Sequence, residues 1–305
     1  MNQNPLRRTD LAAESHDFHC YREALGDSVS YSQKSLGSHE ISEISINDPH
    51  GESLIGKPMG SYITVSFSKI TEMDHNARED LTKAVTESLC RLIKGLGTPI
   101  NKVLVAGLGN RSLTADTVGP ATAEAITLTR PISLSDPPLF RRLGHLETSM
   151  IIPAVLGETG IESSDLVKSA ADIVKPDLII AVDALAARSP KRLMNTIQLC
   201  DTGIAPGSGV GNKRPSIDRK TMGVPVIAIG VPTVVDSSAL IYDALEGSGI
   251  PDKEIPKALE ELLSNHKSFF VTSKDCDIVI KELCSMLSEA IDRALSVPED
   301  ATLQP

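Results

Sequence analysis

Several short runs in this chain are apolar from end to end: Val103 to Ala106, Leu178 to Val182, and most of Val226 to Val235. They are far too short to cross a bilayer, and they do not alternate polar with apolar as a half-wetted strand does. A strand with no polar face has both faces covered, which in practice means a sheet layered between helices. The stretches between the runs supply those helices. Val118 to Leu128, Ser163 to Lys175, Ser237 to Glu246, Ile255 to Asn265 and Asp277 to Leu295 read as helical. Ser163-Ser164-Asp165-Leu166 reads like a capped start.

Further upstream, Arg78 to Leu96 places Leu81, Val85, Leu89, Leu92 and Ile93 at helical spacing and stops at Gly95 and Gly97. Ser61 to Ile70, Thr148 to Val155 and Asn195 to Gly203 add strands. The expected fold is therefore α/β, with a mostly parallel or mixed sheet flanked by helices. One domain is expected, with an irregular, polar, weakly periodic N-terminal region over about residues 11–60.

Charge narrows the function. The net charge of -10 leaves no excess of cations to neutralise phosphates, so a general nucleic-acid partner is not expected. With no Trp and 3% aromatic residues, stacking on single strands is equally disfavoured. The first residues lack a signal-like apolar core and no long apolar run follows, so a cytoplasmic protein without membrane contact is expected. The five cysteines are scattered, with no C-x-x-C pair, and read as reduced thiols.

The richest stretch is GLGNRSLTADTVGP, Gly107 to Pro120, directly after an apolar run. It is not a dinucleotide fingerprint, because Ser112 stands where the third glycine belongs, and it lacks a P-loop lysine. The glycines suit a sharp turn that brings backbone close to a cleft. Asp116 lies in this loop, and Asp183 follows the run Leu178 to Val182. Ligands of parallel sheets sit beyond the carboxyl ends of the strands, so both carboxylates fall at one edge. Two such groups raise one another's pKa and can share a proton, as acid–base work on water requires. The pattern alone leaves another reading open, in which Asp116 caps the following helix and Asp183 merely ends a strand.

Other features are weaker. Asp201-Thr202-Gly203 is the tripeptide of pepsin-like proteases, but it occurs once and in an α/β context. The loop Pro206 to Pro215 could hold a substrate through Gly207, Gly209, Lys213 and Arg214. His16, His19 and Cys20 lack a fourth ligand nearby, so no metal and no cofactor is expected. His145 alone between Gly107 and Pro256 disfavours Ser-His or Cys-His chemistry.

The stretches VAGLGNRSLTADTVGP, IIPAVLGETGIESSDLV, KPDLIIAVDALAARS and IQLCDTGIAPGSGVGNKR, with RTDLAAE near the start and FFVTSKDCDIVI near the end, carry a resemblance. Together they resemble the germination protease family of spore-forming bacteria. The resemblance implies a fold similar to the hydrogenase-maturation endopeptidases and an endopeptidase with an atypical aspartic-type mechanism. It implies Asp116 and Asp183 as the essential pair and small acid-soluble spore proteins as substrates. It also implies a homotetramer in the spore interior, made as a zymogen that cuts its own propeptide. Here the matching junction is Asp10-Leu11, so residues 1–10 would be the propeptide. A metal-dependent endopeptidase and an inactive peptide-binding scaffold remain the alternatives. The chain looks shorter than typical members, the difference falling between Asp243 and Phe269.

Overall fold

A computed structural model describes residues 9–14, 26–207, 214–248 and 269–296. The expected helix over Ile255 to Asn265 lies outside them, as do His16, His19 and Cys20. Nine strands form one sheet among the described residues. They are β1 (Val29–Leu36), β2 (His39–Ile46), β3 (Gly60–Ser66), β4 (Lys102–Gly107), β5 (Glu147–Ile151), β6 (Leu178–Ala187), β7 (Thr196–Cys200), β8 (Val226–Asp236) and β9 (Phe270–Val271). The spatial order is β1-β2-β3-β7-β8-β6-β4-β5, with the short β9 added to the far end of β8.

The sheet is mixed rather than largely parallel. The apolar runs make the parallel half, β5-β4-β6-β8. The remainder, β7-β3-β2-β1, is antiparallel. The polar N-terminal region contributes a hairpin to that half, where an irregular segment was expected. Its outer strand, VSYSQKSL, is an edge with little to bury, so its apolar alternation is faint.

Five helices of eight residues or more pack on the sheet among the described residues: α1 (His75–Gly95), α2 (Val118–Ala125), α3 (Ser163–Val174), α4 (Ser237–Gly247) and α5 (Cys276–Leu295). The predicted face of α1, with Leu81, Val85, Leu89 and Leu92, is buried in the main core with Val105, Ile180 and Ile229 of the sheet and Leu283 and Leu287 of α5. On the opposite face α3 buries Val167 and Ala171 against Leu104, Ile179 and Ala181. The central strands are thus covered on both sides, the reason they carry no polar face. The start of α3 differs from its reading: no side chain caps it, and the Ser163 hydroxyl donates instead to the Ala154 carbonyl at 2.8 Å.

Two corrections bear on the site. First, β6 does not end at Asp183: it runs on to Ala187, paired with β8 throughout and with a register shift between Leu185 and Ala186. The continuing partner strand keeps it extended, which apolar patterning could not reveal. Second, Asp201 belongs to the framework. Its carboxylate accepts the Ser61 amide at 2.8 Å, tying the end of β7 to the start of β3.

Candidate active site

At the carboxyl end of β4 the chain turns sharply, and glycines make the turn possible. Gly109 has φ of 116°, and a Cβ there would sit 2.1 Å from the Asp116 carbonyl oxygen. Gly119, at the start of α2, has the Leu108 and Val182 carbonyl oxygens within 2.3 Å of where its Cβ would be. Backbone therefore packs on backbone, and the loop folds back over the ends of β4 and β6. The loop glycines serve this close approach.

This folding holds Asp116 inward. Its Oδ2 accepts the Asn110 amide at 2.8 Å, and it does not cap α2, whose cap position is Thr117 with no side-chain hydrogen bond. The neighbouring Ala115 carbonyl accepts the Thr233 hydroxyl of β8 at 2.6 Å. Thr233 is fully buried and anchors the loop to the sheet. Replacing it with Val keeps the shape and removes this bond. The expected result is a loss of about 1 kcal/mol of stability, measured by denaturant unfolding, in a chain that still folds.

Asp183 sits mid-strand on β6, only 6% exposed, with the Ala184 amide donating to its Oδ1 at 2.9 Å. Burial lifts its pKa well above the ordinary carboxylate range, and the charges of Asp116 and Asp10 push it the same way. Burial also raises Asp116, more than the Asn110 amide lowers it. Both groups line one cleft of about 620 Å³, together with Asp10, Lys57, Gly207, Arg214 and Thr233. Sequence reading had placed both aspartates at one sheet edge; the structure also makes them electrostatic neighbours. Arg214 is ion-paired with Glu162 at 3.3 Å on the wall of the cleft. Gly209 and Lys213 lie outside the described residues.

The chain's own N-terminal segment forms part of the cleft wall through Asp10. Asp10 pairs with the end of β6: its amide donates to the Ala186 carbonyl at 3.0 Å, and its Oδ2 accepts the Ala186 amide at 2.9 Å. Leu11 is fully buried among Leu185, Ala187, Val235 and Ala239. Ala12 is buried beside Ile44, Ile55 and Tyr62. Glu14 accepts the amides of Arg188 and Ser189, which fixes the far end. The acidic, aliphatic and small side chains thus each have their own surroundings.

Two more polar residues reach this segment, and sequence reading missed both. Lys57 donates to the Asp10 carbonyl at 3.1 Å and the Thr9 carbonyl at 3.4 Å. Burial lowers its pKa, against the opposing pull of Asp10. Gln198 donates from Nε2 to the same Asp10 carbonyl at 3.3 Å, while its Oε1 accepts the Ala12 amide at 2.6 Å. Gln198 carried a signal, as an amide in the otherwise apolar TIQLC. Lys57, in a Gly-Lys-Pro loop, carried none. Asp183, Gly230 and Gln198 fall in one row across β6, β8 and β7. The glycine between them makes room for Leu185, whose side chain would lie 2.3 Å from a Cβ at position 230.

No group of three or more His, Cys, Asp or Glu side chains able to hold a metal ion occurs among the described residues. No helix among them is long and apolar enough to cross a membrane. The four described cysteines are unpaired, and Cys200 and Cys284 are buried.

Residues 9–247 match the family model described as "Germination protease". A germination protease of Caldanaerobacter subterraneus is 37% identical over 308 residues, covering 94% of each chain. One from Clostridium acetobutylicum is 34% identical over 310 residues, again covering 94% of both. Against a longer relative from Oceanobacillus iheyensis, 40% identical, the aligned part is 78% of this chain and 66% of that one. The chain therefore nearly matches some relatives in length and falls short of others. Among solved structures, a [NiFe] hydrogenase maturation protease, HycI, from Thermococcus kodakarensis aligns with 66% of this chain and 98% of its own at a TM-score of 0.35 and 13% identity.

Proposed function

The chain belongs to the germination protease family, and from that premise we propose that it is an atypical aspartic-type endopeptidase in which Asp116 and Asp183 activate water. The observation that carries the proposal is the cleft itself: buried Asp183 and half-buried Asp116 line it together with Asp10 of the acidic-aliphatic-Ala segment, and the Asp116 charge adds to the rise in the Asp183 pKa. Burial and like charge make it costly for both to ionise, which favours the pair's holding one proton between them. The ionised member takes a proton from water. The protonated member serves the leaving nitrogen, so no covalent intermediate is needed. The two titrate as a unit, and the mechanism requires only that one proton be shared.

The same cleft serves self-processing. Residues 1–10 are the propeptide in this reading, and the bond cut is Asp10-Leu11. Its support is that Asp10 lines the same cleft as Asp116 and Asp183, with Leu11 and Ala12 buried in the apolar clusters that follow. Small acid-soluble spore proteins in the spore interior are the substrates and a homotetramer the working form, both on the strength of family membership. The test is direct. The purified chain, incubated alone at mildly acidic pH, is expected to acquire a new N-terminus at Leu11. A tail that stays intact under every condition in which the chain cleaves spore proteins would remove self-processing from the proposal.

A further inference from the structure

An attacked peptide carbonyl needs somewhere to put its charge, and two carboxylates cannot provide it. As water adds to the carbon, the carbonyl electron pair moves to oxygen, which becomes an oxyanion. In a cleft lined by Asp116 and Asp183, that new negative charge is strongly disfavoured unless donors face it. At the Asp10 carbonyl, donors do face it. The Lys57 ammonium lies 3.1 Å away and the Gln198 amide 3.3 Å away.

Building on the reading just given, we infer that Lys57 and Gln198 form the oxyanion site of this enzyme, polarising the scissile carbonyl while the aspartates handle water. Gln198 is held in the correct sense by its second bond, since its Oε1 already accepts from Ala12 and its Nε2 is thereby turned to Asp10. Lys57 is half-buried and bonds carbonyl oxygens on this segment. The step balances. Water's oxygen bonds to the Asp10 carbonyl carbon, and its proton passes to the ionised aspartate. The oxyanion then collapses and the C–N bond breaks. The Leu11 nitrogen leaves as an amine after taking a proton from the other aspartate. The arrangement also gives a reason for an acidic residue before the cut. The Asp10 carboxylate accepts the Ala186 amide and lies near the Lys57 charge, which fixes the carbonyl between its donors.

Self-processing is the informative assay, because the segment is already seated and its first-order rate reports the reaction rather than affinity. Lys57→Met in the full chain is expected to slow the appearance of the Leu11 terminus by about 10²-fold, and Gln198→Leu by about tenfold. The melting temperature checks that each variant folds. Should Lys57→Met fail to fold, Gln198→Leu decides, with tenfold slowing for the inference and an unchanged rate against it. A folded Lys57→Met chain that processes at the normal rate overturns the inference. So does one that processes faster, since that would make Lys57 a restraint. Asp183→Asn, assayed in parallel, separates the two claims. If it is dead while Lys57→Met is unaffected, the oxyanion site falls and the aspartate pair stands. If Asp183→Asn also processes normally, the aspartate pair falls with it.

Discussion

Asp183→Asn is expected to abolish peptide cleavage, with a fall in kcat on the order of 10⁴-fold, and at the same time to raise the melting temperature at neutral pH. The two effects have one cause. Asparagine keeps an oxygen for the Ala184 amide but cannot take or hold the proton that the pair must exchange. It also removes a charge that the fold tolerates poorly, since Asp183 is buried and repelled by Asp116 and Asp10. Its pKa is raised in the folded state, so the folded chain binds this proton more tightly than the unfolded chain does. Stability from this group is therefore full at low pH and declines as pH climbs from roughly 4 through the native value. Thermal melts of both chains across pH should show a decline in the parent that is reduced in the variant, with the curves meeting in acid. A variant less stable than its parent at neutral pH would mean that Asp183 is a structural ion and not a strained catalytic group.

Gly109→Ala should also damage activity strongly, without touching an ionisable group. The added Cβ would lie 2.1 Å from the Asp116 carbonyl oxygen, and the φ of 116° is one that alanine avoids. The Asp116 loop must move, and a shift of about 1 Å at a reacting group costs around 10²-fold. The Thr233 tether and the Asn110 amide would be strained in the same movement. Steady-state kinetics should show the loss mainly in kcat, with circular dichroism unchanged because the sheet lies below the turn. Activity within threefold of the parent would show that the loop can relax around a methyl group and that Asp116 need not be held where it is.

These expectations rest unevenly on sequence and on structure. The positions of Asp116 and Asp183 were legible because each lies next to an apolar run whose strand character follows from local chemistry, although only Asp116 lies past the end of its strand. The glycine turn was legible for the same reason. The cap proposed for α3 failed because the Ser163 hydroxyl found a nearer tertiary acceptor in Ala154. The continuation of β6 past Asp183 was hidden because pairing with β8, not residue type, maintains it.

The chain by itself determined its layered α/β character and set Asp116 and Asp183 beside two central strands, since burial on both faces writes itself into uninterrupted apolar runs. Only the folded molecule decided that the sheet is mixed, that the N-terminal segment forms part of the cleft wall, and that Lys57 and Gln198 meet at the Asp10 carbonyl. Those contacts join residues separated by 47 and 188 positions. Their geometry depends on strand order and register, which no local pattern encodes.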